Sequence, residues 1–524
     1  MTAAAVTTID EMLTHAQPLH ATRTALVFGD RRTSYADLDR LASQVASGYA
    51  ALGLKPGDRV GYLGTNTDFY FEMLFGAARG GQVIVGVNWR LAPPEIEYVL
   101  NDAGIRLLVA DRDFLPVLDE LRARCPSLGT VLIADAAAGE SGGYTHWRDS
   151  HADTRVAGVA RPEDVLVQMY TSGTTGFPKG ALLTHASILA CITKGPLTGE
   201  DWGRWDPEDV SLVAMPLFHV GGTCWGLQAL TSGASAVILP RPDVEPIIAA
   251  IQAHKITKMF IVPAVLLAIL NHPLADKADF SSMREIIYGA SPIPLDVLKR
   301  ALKVIGCAFV QNYGMTESSG TVVYLPPEDH HPDGHPRMAS CGKALPGVAL
   351  AIVDTQGRHL PTGEVGEIIL RSDTMMAGYW NKPEETAKAL RDGWYYSGDA
   401  GYMDADGYLY IHDRVKDMIV SGGENIYPAE VEGALHGHPD VRDVAVIGVP
   451  DDRWGEAVKA IVVRRAGADL DESTLIQFAR TRIAGYKVPK SVDFVAELPR
   501  NPSGKILKKD LREPYWQGRA RRVN

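Results

Sequence analysis

Short apolar, β-branched runs alternate with amphipathic segments along most of this chain, and that alternation limits the folds open to it. Segments 83–87, 107–110, 165–170, 212–215, 236–239, 260–262, 286–288 and 309–311 each have the length and composition of a buried strand. Between several of them lie helical patterns. One is 35–52, which puts Leu38, Leu41, Val45 and Tyr49 on one face. Strands alternating with helices predict an α/β fold with mostly parallel sheets. The longest apolar run, 259–270, is too short to span a bilayer and is interrupted by Pro263, so it is expected to be a buried strand feeding a helix.

Glycines multiply and strands shorten after about residue 340, at 348–353, 367–370 and 408–411, with a tight turn at Asp406-Gly407. Strands are expected again at 444–447, 460–463 and 492–495. The expected organisation is a large N-terminal domain over 1–415, with parallel-rich sheets, helices and a small β-subdomain at about 340–413. A small, mobile α+β domain over 416–524 follows. The boundary falls near Arg414–Asp417, and the small-residue stretch 136–143 is expected to be a surface loop.

A chain of 524 residues with net charge −11 argues against a generic nucleic-acid surface. Arg519, Arg521 and Arg522 read as a solvated tail. Cys125, Cys191, Cys224, Cys307 and Cys341 are scattered, with no CxxC pair, which points to a reducing, cytoplasmic compartment rather than to disulfides or a metal site. No signal peptide is expected, because Asp10 and Glu11 stand where a basic flank and apolar run would be.

The densest chemical signal is Tyr170-Thr171-Ser172-Gly173-Thr174-Thr175-Gly176-Phe177-Pro178-Lys179-Gly180. After the strand come three glycines, four hydroxyl side chains and one lysine, which is what a polyphosphate needs: backbone N–H groups, added donors and a charge. It is not a Walker loop, since no Ser or Thr follows the lysine. Composition alone leaves a flexible turn equally open.

This loop resembles the signature of the acyl-adenylate-forming superfamily, which includes acyl-CoA synthetases, peptide-synthetase adenylation domains and beetle luciferases. The similarity continues in order through Met215-Pro216-Leu217-Phe218-His219, Tyr288-Gly289-Ala290-Ser291-Pro292 and Tyr313-Gly314-Met315-Thr316-Glu317. It then runs through Tyr396-Ser397-Gly398-Asp399, Asp413-Arg414-Val415-Lys416-Asp417 and Asn501-Pro502-Ser503-Gly504-Lys505.

The resemblance implies an ATP-dependent acyl-CoA ligase. ATP and coenzyme A would be co-substrates, Mg²⁺ the metal and a small carboxylic acid the substrate. Thr171, Ser172, Gly173, Thr174, Thr175, Gly176 and Lys179 would hold phosphates. Gly289, Ala290, Ser291, Gln311, Asn312, Tyr313, Gly314 and Met315 would surround the nucleotide, with Tyr313 on adenine and Thr316 at the α-phosphate. Glu317 would bind Mg²⁺. Asp399 would take the ribose hydroxyls, with Ile411 and Arg414 beside it. Lys505 would bridge the carboxylate and the α-phosphate, and is preferred to Lys508 because only Lys505 follows the Ser-Gly turn. Lys416 would be the hinge. Ser421, Gly422, Gly423 and Glu424 would pass the pantetheine arm. By composition alone, each of these also reads as a turn former, a strand end or a solvated charge.

The resemblance also implies an acyl pocket formed by His219, Val262, Tyr288, Gly289, Met315 and Gly320, with His219 as a pocket or gate residue. Some members carry a gating Trp four positions after this His. Here that position is Thr223, and the nearest Trp is Trp225, which leaves the gate open between Trp225 and His219. No acidic residue lies in 216–226, which disfavours an amino-acid substrate. The stretch 420–430 is most similar to bacterial fatty-acyl-CoA synthetases. Medium- or long-chain fatty acids and aryl acids such as hydroxycinnamates both fit. A luciferase-like oxygenase and a non-catalytic nucleotide-binding protein are the alternatives. A homodimer and peripheral membrane contact stay open, with no spanning segment and no nucleic acid expected.

Overall fold

Two large sheets with parallel inner strands and antiparallel edges, and two smaller, mainly antiparallel sheets, hold the described strands. In the computed structural model, residues 6–137, 139–155, 158–171, 178–291, 293–414, 417–421, 424–451, 453–500 and 506–517 are described. One sheet has seven strands in the order Gly378–Tyr379, Lys179–Thr184, Val165–Thr171, Val83–Val87, Arg59–Leu63, Ile105–Ala110, Thr130–Ile133. From Val165–Thr171 to Thr130–Ile133 the neighbours run parallel. Parallel neighbours need crossovers, which the helices Phe69–Gly80 and Pro93–Ala103 provide.

The second sheet has nine strands in the order Lys343–Ala344, Gly320–Leu325, Ala308–Met315, Glu285–Gly289, Lys258–Ile261, Val210–Val213, Ser235–Ile238, Thr24–Phe28, Arg31–Ser34. Its inner strands are parallel and its edges antiparallel.

The expected strands are present with small shifts. The strand expected at 212–215 runs instead from Val210 to Val213. Asn66 explains its end: Nδ2 donates to the carbonyls of Ala214 and Met215 at 3.3 and 3.0 Å, taking acceptors a ladder would use. The helix Tyr35–Ala51 starts where Ser34 caps it and buries Leu38, Leu41, Val45 and Tyr49 as expected. Run 259–270 divides into strand Lys258–Ile261 and helix Pro263–Asn271, with proline in the first turn.

The third sheet is antiparallel and contains Ala349–Val353, Gly366–Arg371, Trp394–Met403, Leu390–Arg391 and Leu409–Arg414. In its Asp406-Gly407 turn, Gly407 takes φ 81°, and the Asp404 carboxylate accepts from the N–H groups of Asp406 and Tyr408. The fourth sheet contains Ile419–Ser421, Glu424–Ile426, Val441–Asp451, Gly455–Arg464 and Ser491–Phe494. Helices Pro428–His436, Glu472–Arg480 and Lys508–Trp516 accompany it, and Ile419, Val431, Val444, Val458 and Leu475 share a separate apolar cluster. No helix among the described residues is long and apolar enough to cross a membrane.

Polar groups also set the packing. Fully buried Arg79 donates from Nε to Asp10 at 2.9 Å and from Nη2 to Asp39 at 2.6 Å. It thereby fastens helix Ile9–His20 and helix Tyr35–Ala51 to helix Phe69–Gly80. His185 accepts from the Ile9 N–H at 3.1 Å, and His330 pairs with the Tyr288 hydroxyl at 3.0 Å and the Pro326 carbonyl at 2.8 Å.

Burial pushes both histidines down to about 4. Their folded values lie below the ordinary value of about 6.5, so the unfolded chain binds more protons as pH falls from about 6.5 to 4. Each histidine therefore removes stability through that window. Replacing His330 with Gln should flatten the fall by about 1.4 kcal/mol per pH unit at most. Urea unfolding of wild type and variant between pH 7 and 4.5 checks this, and parallel slopes would refute it.

Candidate active site

The C-terminal ends of the parallel strands open on one cavity of about 1300 Å³. Strand Val165–Thr171 delivers Thr171 to its wall. Strand Lys179–Thr184 returns antiparallel, with Thr171 opposite Lys179. Strand Ala308–Met315 delivers Asn312, Gly314 and Met315, and the 3-10 turn Thr316–Ser318 adds Thr316 and Glu317. His219, the N-cap of helix Val220–Leu230, stands on the same wall.

Small residues at these strand ends are forced by crowding. A Cβ on Gly289 would stand 2.2 Å from the Asn312 carbonyl, and one on Gly314 would stand 2.0 Å from the Gly320 carbonyl. Ala290 takes φ 68° and Ser319 φ 55°, a region non-glycine residues seldom enter. Strain of this kind gathers at functional sites.

The charged wall is internally paired. Lys179 contacts the Glu385 carboxylate, and its ammonium lies 5.2 Å from the centre of the Tyr379 ring. The Tyr379 hydroxyl donates to Glu317 at 2.8 Å. The hydrogen bond from Lys179 holds the Glu385 carboxyl below its usual range. Burial, and then the charge of Glu317, raises the Tyr379 phenol. His219 is pushed down to about 4 by burial, reinforced by the Arg90 guanidinium, and is therefore neutral near pH 7.

Two buried polar atoms on the wall, His219 Nε2 and Asn312 Oδ1, have no hydrogen-bond partner among the described residues. Such atoms are rare in interiors and suit a ligand that brings its own polar groups. An acceptor such as Asn312 Oδ1 fits a base amino group. Glu317 is the carboxylate a hard cation would use. The described residues hold no cluster of three or more acidic, His or Cys groups, so a cation would take most of its oxygens from phosphate.

Of the expected residues, Thr171, Lys179, His219, Val262, Ala290, Asn312, Gly314, Met315, Thr316, Glu317 and Gly320 border the cavity. Tyr288 does not. Successive side chains in a strand point to opposite faces, and Ile287 takes the cavity side. Tyr288 turns to the other face, fully buried against Phe309 and His330. Gln311 turns with it and accepts from its hydroxyl at 3.3 Å. Gly289 and Ser291 flank cavity-lining Ala290 without reaching the wall themselves, and Ile411 also lies off it.

Tyr313 and Asp399 also lie off the wall, bonded to each other at 2.7 Å, while Ser397 and Gly398 reach it. Ser421 is buried in a hairpin opposite Glu424, away from the cavity. Ser172, Gly173, Thr174, Thr175, Gly176, Lys416, Gly422, Gly423 and Lys505 lie outside the described residues, and Arg414 and Glu424 are described only in their backbone. Arg500 and Leu507, on either side of 501–505, border the cavity.

Thr223 is buried, with its hydroxyl bonded to Tyr70 and to the Leu217 carbonyl, so it faces no passage. Trp225 borders the cavity, but Nε1 donates to the Leu212 carbonyl at 3.0 Å and its ring packs on Trp205. Sequence reasoning missed Arg90, Tyr379, Glu385 and Gln228, all on the wall. Only Gly378-Tyr379-Trp380, an aromatic pair after a glycine, carried any signal.

A family model described as AMP-binding enzyme matches residues 13–380, and one described as AMP-binding enzyme C-terminal domain matches 430–505. The chain belongs to the AMP-binding enzyme family. This AMP-binding enzyme is 42% identical to a fatty acid–[acyl-carrier-protein] ligase of Streptomyces coeruleorubidus, over 97% of the chain and 96% of the relative. It is 40% identical to a feruloyl-CoA synthase of an Amycolatopsis species, over 94% and 96%. The solved structure of a Mycobacterium tuberculosis fatty acyl CoA synthetase superposes with TM-score 0.77 at 34% identity, covering 97% of this chain and 98% of that one. The protein is an AMP-forming acid–thiol ligase, so the non-catalytic reading falls away.

The crowding at Gly314 makes a direct prediction. Gly314→Ala should destabilise the enzyme by about 1–3 kcal/mol and reduce pyrophosphate release further than that loss explains, because two backbones must separate. Gly433→Ala, where a Cβ meets nothing within 4 Å, should be neutral or stabilising. Thermal denaturation and turnover of both variants test the contrast.

Proposed function

We propose that this enzyme activates a fatty or aryl carboxylic acid as its acyl-adenylate and passes the acyl group to the thiol of coenzyme A. One observation carries the reading: a single cavity joins the polar wall of Lys179, Thr316 and Glu317 to an apolar wall of Trp225, Phe260 and Val262. In the first step a carboxylate oxygen attacks the α-phosphorus of ATP, and the bond to the β-phosphate breaks to release pyrophosphate. In the second, the thiol sulfur attacks the acyl carbon and AMP leaves.

Thr171, Lys179 and the hydroxyls of Ser172, Thr174 and Thr175 bind the polyphosphate, and Lys179 exchanges its Glu385 partner for phosphate. Thr316 meets the α-phosphate. Glu317 holds Mg²⁺, which when bound neutralises phosphate charge. Tyr313 packs on adenine, Asn312 Oδ1 accepts from its amino group, and Asp399 and Arg414 take the ribose. His219, neutral near pH 7, stands by the carboxylate without adding charge. Lys505 draws the carboxylate and α-phosphate together, and Arg500 and Leu507 at the cavity edge support that role.

The domains divide at 415/416, with the β-subdomain at 340–413 in the first. Rotation about Lys416 exchanges Lys505 for the Ser421–Glu424 stretch, which admits the thiol arm. Unpaired cysteines support a cytoplasmic location.

A second acceptor, the thiol of a carrier protein, is favoured by the 42% identical relative. Pyrophosphate release with a panel of fatty and aryl acids, followed by transfer to coenzyme A or to a phosphopantetheinylated carrier protein, tests the reading. Acid-dependent release with thioester formation on coenzyme A supports it. Release without either thioester would overturn the ligase assignment, and thioester on the carrier alone would replace the acceptor.

The two half-reactions should come apart by mutation. Lys505→Ala should slow adenylation by roughly 10²–10³ and spare thioester formation from supplied acyl-AMP. Lys416→Pro, which fixes φ near −65°, should do the reverse, leaving adenylation largely intact while transfer falls by orders of magnitude. Single-turnover assays of each step decide. Equal losses in both steps for Lys416→Pro would remove the hinge assignment.

A further inference from the structure

The acyl end of the cavity is apolar with one conspicuous exception. Helix Val220–Leu230 turns one face toward it, made of Gly221, Cys224, Trp225 and Gln228 at spacings of three, four and seven. Leu227 and Ala229, on either side of Gln228, are fully buried on other faces. No described residue donates to or accepts from the Gln228 carboxamide. The two indoles of this wall are satisfied, with the Trp225 N–H on the Leu212 carbonyl and the Trp202 N–H on Glu200.

The far end of the pocket lies where helix His185–Leu197 meets the turn Asp201–Gly203. There Gly195 and Gly203 pass backbone to backbone: a Cβ on Gly203 would stand 2.1 Å from the Gly195 carbonyl. A Cβ on Gly195 would stand 3.5 Å from Gln228 Nε2, so the carboxamide lies against this crossing. From His219 to Gln228 the helix rises about 13 Å, and the side chain leans back toward the helix N-terminus. An acid with its carboxylate beside His219 reaches Gln228 if it has the carboxyl-to-para-oxygen span of a phenylpropenoate.

Gln228 is half-buried, and its carboxamide, with both donor and acceptor atoms, borders the cavity. We infer that Gln228 selects the distal end of the acyl substrate, hydrogen-bonding a hydroxyl or similar polar group carried by a compact, aryl-type acid. The inference rests on the acid-activating reading of the cavity and narrows its substrate class. Gln228 is then a specificity residue for the far end of the substrate, remote from the reacting carboxylate.

The test compares 4-hydroxycinnamate with cinnamate by pyrophosphate release, in wild type, Gln228→Leu and Gln228→Met, with thermal denaturation reporting folding of each. Wild type should favour the hydroxylated acid by roughly 10-fold or more in kcat/KM. In either folded variant the ratio should collapse toward one, with the loss falling on the hydroxylated acid. A wild type that is indifferent or prefers cinnamate overturns the inference without any variant, and so does a ratio that survives either substitution. A wild type that releases pyrophosphate with no acid at all would instead strike down the acid-activating reading, and the inference with it.

Discussion

Two parallel sheets can share one cavity only where their strand ends pass at backbone distance, and glycines permit that approach here. A Cβ on Gly86, in the seven-stranded sheet, would stand 2.7 Å from Phe218 Cα, just beyond a strand of the nine-stranded sheet. Gly222 is confined by the Pro216 carbonyl, Gly289 by Asn312 and Gly314 by Gly320. Asn66 adds a polar clamp, donating to Ala214, Met215 and Leu239 and accepting from the Leu217 N–H. A larger residue at Gly86 would drive the two sheets apart, whereas Gly289 and Gly314 let neighbouring strands of the nine-stranded sheet close on one another at the cavity. The parallel strands of each sheet end on one side, and these contacts make that side a single site.

The charges of the site are held by one another before any substrate arrives. Glu385, Lys179, Tyr379 and Glu317 form a chain in which each polar group faces a partner, so neither the lysine nor the carboxylate stands bare beside an apolar pocket. Pairing of this kind lowers the desolvation cost relative to burying unpaired charge. His219 behaves differently. Burial keeps it neutral near pH 7, and its Nε2 is enclosed with no hydrogen-bond partner among the described residues.

Much of this was legible in the sequence because strand composition and motif order are local properties. The strand at 83–87, the helix beginning at Tyr35 and the split at Pro263 all depend on residues within a few positions of one another. What was not legible depends on register or on distant partners. Tyr288 belongs to the right motif, but a one-residue alternation hands the cavity to Ile287. The strand after Val210 stops early because Asn66, far away in sequence, takes its carbonyls. Tyr379 and Glu385 sit between recognisable motifs and acquire meaning only when strand Gly378–Tyr379 pairs beside Lys179–Thr184. Gln228 belongs to no motif, and its place on the cavity follows only from the face that helix Val220–Leu230 turns inward.

Arg79 has a practical side for anyone trimming this protein. Its guanidinium is wholly enclosed, and one of its carboxylate partners, Asp10, comes from the first helix of the chain. Cutting away that helix would do more than remove a surface element. It would leave Arg79 with Asp39 as its remaining carboxylate partner and take away part of the cover that encloses it. It would also take the Ile9 N–H from His185. A tag placed ahead of Val6 meets no such penalty, so the useful place to begin a shortened chain is before Thr8, whose side chain caps the helix.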